Sequence, residues 1–231
     1  MPKPSAAATS PGPDLDTKSR PSRRRGKDTF EAILATAGDL LSEVGFERLT
    51  TNLVCERAGM TPPALYRYFP NKYALLAELA RRLMDVQDEI FLAWLDAGGP
   101  SSRSLDEAVA NTVELRKEIL RVTREQPGGI WILRAIRAVP ILQEVRIASR
   151  DKVLQRHLTV LSELYPNVDM SQLQMAVRLS EEVAYGMVEM LIEDPMLDED
   201  RAIVESAWMT SLYFQHLMPR GRPARSRRKS G

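Results

Sequence analysis

Phe46–Leu76 reads FERLTTNLVCERAGMTPPALYRYFPNKYALL, and the order of its turn formers and apolar residues decides the fold of this part of the chain. A helix over about Thr51–Ala58 turns Val54 and Ala58 inward one turn apart and ends at Gly59, the turn glycine. Thr61 is then placed to cap a third helix. Pro62 drives the residue before it out of the helical region, yet fits the first helical position itself. Pro63 is tolerated beside it, because the first N–H groups of a helix have no intrahelical partner to lose. Leu65 and Phe69 face the core at i and i+4, which leaves Pro62, Pro63, Ala64, Arg67 and Tyr68 to the outside. Two short helices joined by a glycine turn, the second with an outward face, form the geometry that lays a recognition helix in the major groove. The same pair also serves as a plain packing unit, so spacing alone does not assign DNA binding.

Upstream, Phe30, Ile33, Ala37, Leu40, Leu41 and Val44 make one apolar helical stripe, and Gly45 stops it by taking the left-handed conformation. Residues 1–27, rich in Pro, Ser, Ala and Arg, bury too little to offset ordering and read as a disordered basic arm, as do 219–231 as a basic tail. The net charge of +1 hides a segregation: +5 over 1–27, −2 over 28–72, −8 over 73–218 and +6 over 219–231. An acidic body with basic tails suits a protein that meets a polyanion at particular places. The stretch TKSRPSRRRGK at 17–27 could lie along a duplex backbone or enter a minor groove, although solvated disorder is equally expected of it.

The residues of the opening stretch resemble the signature of the TetR family of regulators: a threonine-led second helix, an A-G turn, an L-Y-x-x-F helix and a following lysine. Ala58-Gly59, Thr61, Leu65-Tyr66, Phe69 and Lys72 match it, within a resemblance that covers about residues 29–76. The resemblance implies that Thr50, Thr51 and Asn52 contact the backbone or reach base edges. It also implies that Thr61, Pro62, Pro63, Ala64 and Tyr68 face the groove, and that Tyr66 and Lys72 grip phosphates. Lys72 would open a fourth helix capped by Asn71, where a cation is unfavourable unless an anion such as a DNA phosphate sits beside it. Pro62, Pro63 and Ala64 offer few hydrogen bonds, so thymine methyl contacts and duplex shape should weigh more than bidentate pairs, with Arg67 as a base or phosphate ligand. Leu53 departs from the pattern: family members commonly carry there a polar or acidic residue that closes a capping box with Thr50. The second helix would then start less firmly, begin at Thr51, or spend Leu53 on packing outside the head.

Glycine and proline marks along the rest of the chain separate segments of helical spacing, with no convincing alternation of period two, so the fold is expected to be all-α with about nine helices. The expected plan is an arm at 1–27, a helix-turn-helix domain at 28–75, a ligand-binding and dimerisation domain at 76–218 and a tail at 219–231. Two long apolar helices, about 171–192 and 201–217, carry Leu173, Val177, Val183, Met187, Met190, Leu191 and Ile203, Ala207, Trp208, Leu212, Phe214. They could close a four-helix bundle with a second subunit or form internal core. A homodimer is favoured, since recognition helices read successive grooves about 34 Å apart. The family resemblance further implies a small-molecule pocket in the body. Its candidate lining is Phe91, Trp94, Asn111, Arg116, Trp131, Arg134 and Met187, although core packing explains any one of them as well. If Arg116 or Arg134 points inward, it favours an anionic ligand such as a carboxylate or acyl thioester.

The remaining residues argue against other classes. No apolar run reaches the roughly 18 residues that a membrane span needs, and the N-terminal stretch lacks a secretory core, so the protein is expected in the cytoplasm, at the nucleoid when DNA-bound. One cysteine and two histidines supply no spaced metal-ligand set and no disulfide, and no cofactor is expected. His157 and His216 lack a serine-base-acid or cysteine-base pattern, and Glu181-Glu182 beside Tyr185 reads as a solvated face, so no enzyme is expected. Cys55 is the position for a redox-sensing alternative, with a buried inert thiol as the default.

Overall fold

The computed structural model describes residues 12–221, with side chains through 217; the outer arm, 1–11, and the tail from 222 lie outside them. The regular elements are α1 (Arg24–Arg48), α2 (Thr51–Arg57), α3 (Pro62–Tyr66), α4 (Lys72–Asp96), α5 (Leu105–Glu125), α6 (Gly129–Ala138), a 3-10 turn at Pro140–Leu142, α7 (Gln143–Leu164), α8 (Met170–Glu193) and α9 (Glu199–Gly221). Among the described residues there is no strand, so the fold is all-α. No described helix is long and apolar enough to cross a membrane.

Packing groups the chain into two units, Met1–Met84 with Arg124–Ile147 and Asp85–Thr123 with Ala148–Gly231. The first is built on the stripe of α1, whose Phe30, Ile33, Leu40 and Leu41 are buried with Val54, Leu65, Phe69 and Leu75. Gly45 sits at φ 74 and breaks the helical run of α1, as a left-handed glycine must. The plan that ends the head at residue 75 differs from this grouping, because α6 also gives Ile132, Ala135 and Ile136 to the core of the head. A notch explains the close approach: a Cβ on Gly38 of α1 would lie 2.4 Å from the Pro127 carbonyl oxygen, so only glycine there admits the turn that starts α6.

The inner part of the expected arm is also built into this unit. The first helix starts at Arg24, and residues 14–20 run along α3 and α4. Asn71 donates to the Asp14 carbonyl at 2.9 Å, Arg81 donates to the Leu15 carbonyl and the Asp16 carboxylate, and Lys18 N–H donates to the Tyr68 carbonyl at 2.8 Å. Composition missed this because backbone carbonyls and charges hold most of the segment, with Leu15 packed against the core.

In the second unit Leu158, Leu161 and Tyr165 of the α7 region pack with Leu173, Ala176 and Val177 of α8 and with Leu217 of α9. Several residues expected in a subunit bundle are spent here: Leu173, Val177, Met187, Ile203 and Ala207 are buried within the unit. The outward apolar residues include two of the expected set, Met190 on α8 and Leu212 on α9, together with Met175 (56% exposed) and Leu179 on α8 and Met209 (61%) on α9.

Candidate functional site

The outer face of the head follows from how its short helices are started and stopped. Thr50 has extended backbone and its side chain accepts from Leu53 N–H at 3.1 Å, so α2 begins at Thr51 with a firm cap that needs no acidic partner. Leu53 itself packs against the core of the head. The turn after α2 places Gly59 at φ 62, and Met60 N–H closes it on the Cys55 carbonyl at 3.0 Å. Thr61 occupies the cap position of α3 with extended backbone but makes no side-chain capping bond, while both prolines fall in the first turn. Thr61, Pro62, Pro63 and Arg67 are therefore exposed together, with Ala64 half-buried among them.

Tyr66, also exposed, shares a hydrogen bond with the Thr51 hydroxyl at 2.9 Å, which joins the start of α2 to the end of α3. Thr50 and Asn52 are exposed beside them. Tyr68 corrects the expectation that it faces outward: it is 5% exposed and meets Phe30 edge-on at 5.6 Å. Helical bonding runs on past Tyr66, with Phe69 N–H on the Leu65 carbonyl at 3.0 Å, so Tyr68 stands at i+3 from Leu65 and shares its inward face.

Lys72 is the first residue of α4, and Asn71 caps that helix by accepting from Ala74 N–H at 2.9 Å. Its ammonium lies 4.4 Å from the centre of the Phe46 ring and 3.4 Å from the Phe46 carbonyl oxygen. The protein itself thus offsets part of the penalty for a cation at a helix N-terminus, for which the bare sequence offered only a phosphate. Next to α3, a groove is lined by Arg20, Arg23 and Arg25 together with Ala64 and Arg67, so the N-terminal segment and α3 share one cationic surface. Cys55 is buried and desolvation pushes its thiol up, away from the reactive thiolate that redox sensing would use.

The second unit encloses a cavity of about 320 Å³ between α4, α5, α7, α8 and α9. Phe91, Trp94 and Arg116 are among its lining residues. Asn111 is not among the lining residues but donates to two of them, to the Gly99 carbonyl at 3.3 Å and the Ser102 hydroxyl at 3.4 Å. Gly99 is required there, since a Cβ would fall 2.2 Å from the Trp94 indole. Met187 is buried but is not part of the lining. Trp131 and Arg134 do not line the cavity: they lie on α6 in the first unit, the Arg134 guanidinium 5.3 Å from the centre of the Trp131 ring.

Buried titratable groups on the lining set the electrostatics of the cavity, among them Asp88, which is raised chiefly by burial. Arg116 is 7% exposed, donates to the hydroxyls of Ser206 and Thr210 on α9, and is lowered by burial to about 10. His157, which belongs to no catalytic pattern in the sequence, packs edge-on against Phe91 at 5.0 Å, and burial lowers it to about 4, so it is neutral at pH 7. Glu181 is raised, chiefly by burial, although Arg178 pairs with it at 3.1 Å. Arg178 pairs with both Glu181 and Glu182, and Tyr185 donates to Glu189 at 2.7 Å.

Residues 33–79 match the family model for bacterial regulatory proteins, tetR family. The class C tetracycline repressor of Escherichia coli is 48% identical over 56 residues, which cover 24% of this chain and 26% of that protein. The nucleoid occlusion factor SlmA of Actinobacillus pleuropneumoniae serotype 5b (strain L20) is 28% identical over 112 residues, 48% of this chain and 50% of that protein. The chain thus spans between about a quarter and a half of these relatives' length. Among solved structures, Salmonella enterica GusR aligns with a TM-score of 0.57 at 20% identity over 84% of this chain and 96% of its own. A TetR-family transcriptional regulator from Streptomyces coelicolor aligns with a TM-score of 0.54 at 22% identity over 82% and 99%. At that identity the likeness is one of fold.

Proposed function

We propose, from a head of the TetR family, that this chain is a cytoplasmic transcriptional repressor that binds operator DNA as a homodimer and releases it when a small molecule occupies the cavity. The observation that carries DNA binding is the joint exposure of Thr61, Pro62, Pro63 and Arg67 on α3 beside the Thr51–Tyr66 hydroxyl pair and the arginine-lined groove. Such a face can enter a major groove while hydroxyls, Lys72 and arm arginines meet phosphates on either side. Dimerisation is supported by the outward apolar face of α8 and α9, where Met175, Leu179, Met209 and Leu212 would otherwise stay in water.

Release is a population shift. Helix α4 begins at the Asn71 cap and continues to Phe91 and Trp94 in the cavity wall, so a ligand that prefers one placement of α4 biases the head. A near-complete switch needs a preference of about 5 kcal/mol between the two states. The chemistry of the site assigns no catalytic step, and no redox step to Cys55.

Selection from random duplexes, followed by anisotropy titration over a salt series, tests the reading. A preferred duplex should emerge. Tyr66→Phe with Lys72→Ala should weaken it roughly tenfold and flatten the log-log salt slope by about 0.9 for each phosphate that the variant no longer neutralises. No enrichment of any duplex, or an unaltered slope in the double variant, rejects it.

A further inference from the structure

Arg116 is a buried cation whose partners are neutral. Two of the five guanidinium N–H groups reach the Ser206 and Thr210 hydroxyls, which leaves three for another acceptor. Among the described residues no carboxylate pairs with it. Of the two carboxyls in the same lining, Glu181 pairs with Arg178 at 3.1 Å, and Asp88 accepts from the Ser149 hydroxyl at 2.7 Å through one oxygen, with Lys152 3.4 Å from the other. Two buried polar atoms of lining residues have no hydrogen-bond partner, the Trp94 indole N–H and the second Asp88 oxygen.

Most of the remaining wall is apolar, with Phe91, Ile119, Val177 and Phe214 among its residues. A desolvated guanidinium in such a wall matches a planar carboxylate, which accepts two parallel N–H bonds and supplies the missing charge. At about 320 Å³ the cavity has the size of a small-ligand site.

We propose that the effector is a monocarboxylate with a compact apolar body of that size, its carboxylate forked on Arg116 and its body against Phe91 and Phe214. The inference rests on reading this cavity as the effector site and adds the chemical class of the effector.

Calorimetric titration of the full-length protein tests it, with octanoate and 3-phenylpropanoate as probes and octan-1-ol and octylamine as uncharged and cationic counterparts. At least one carboxylate should bind roughly tenfold more tightly than the alcohol. Arg116→Met should abolish that preference and leave the alcohol unchanged, whereas Arg116→Lys, which keeps the charge without the fork, should retain part of it. Equal binding of alcohol and carboxylate, preference for the amine, no carboxylate binding at all, or a preference that survives Arg116→Met overturns the inference. Duplex affinity is read separately. A carboxylate that binds through Arg116 without releasing DNA upholds this chemistry and defeats the repressor switch. Release by carboxylates from both wild type and Arg116→Met upholds the switch and defeats this chemistry.

Discussion

The two units bury charge in opposite ways. In the first, Glu78 is 1% exposed, but Arg20 meets it at 3.0 Å and Arg82 at 3.2 Å, and Arg82 goes on to Glu31. In the second, Arg116 is as deeply placed yet meets only hydroxyls, and His157 meets an aromatic edge. A buried ion answered by the protein holds elements together. One answered only by dipoles bears a desolvation cost that a ligand can relieve. Glu78 ties the N-terminal segment to α4, whereas Arg116 and His157 line a cavity.

The largest effect should come from the answered charge. Glu78→Gln leaves two arginines facing a neutral amide and should lower stability by about 3 kcal/mol, at the low end for a broken buried pair because Arg20 can return to water. Denaturant unfolding measures the loss. Limited proteolysis should also cut residues 12–23 faster, since Arg20 anchors that segment. A change within about 0.5 kcal/mol would make Glu78 an ordinary surface group and erase the contrast.

His157 gives the next effect and a sign that can be checked. Its folded value of about 4 lies below the ordinary 6.5, so between those values the unfolded chain binds the extra proton and stability falls as pH falls. Between pH 7 and pH 5 the loss should be about 2 kcal/mol. Asp88 and Glu181, both raised chiefly by burial, act in the opposite direction over part of this range. The observable is therefore the difference between the pH profiles of the wild type and of His157→Leu. Parallel profiles would mean that water reaches the imidazole.

The same contrast separates what could be read from residue order from what could not. Thr50, Gly59 and the Thr61-Pro62-Pro63 start act within a few residues of themselves, so the head and most of its exposed face were legible. Tyr68 was misread, since i+3 from Leu65 puts it on the inward face as surely as i+4 puts Phe69 there. The cavity is a meeting of five helices, and no local rule states which faces meet. Arg116 and Arg134 look alike on their helices, but one lines the cavity and the other lies over Trp131. His157 did leave a trace. Leu154, His157, Leu161 and Tyr165 fall at i, i+3, i+7 and i+11, a stripe in which a histidine shares the apolar face.

The smallest effect, and the one with the opposite sign, belongs to Arg116 itself. At pH 7 this arginine is charged in both the folded and unfolded states, so the cost of its burial is present in full in the empty cavity. Methionine has a similar reach and no charge to desolvate. Removing the guanidinium also strands no donor, because Ser206 already donates to the Ile203 carbonyl at 2.8 Å and Thr210 to that of Ala207 at 3.1 Å. Arg116→Met should therefore stabilise the ligand-free protein by about 1 kcal/mol, where an answered buried charge would have destabilised it on removal. Thermal unfolding of the two proteins without added carboxylate is the measurement. A loss of about 2 kcal/mol or more would make Arg116 a structural anchor of α5 on α9, and the two units would then bury charge on the same terms.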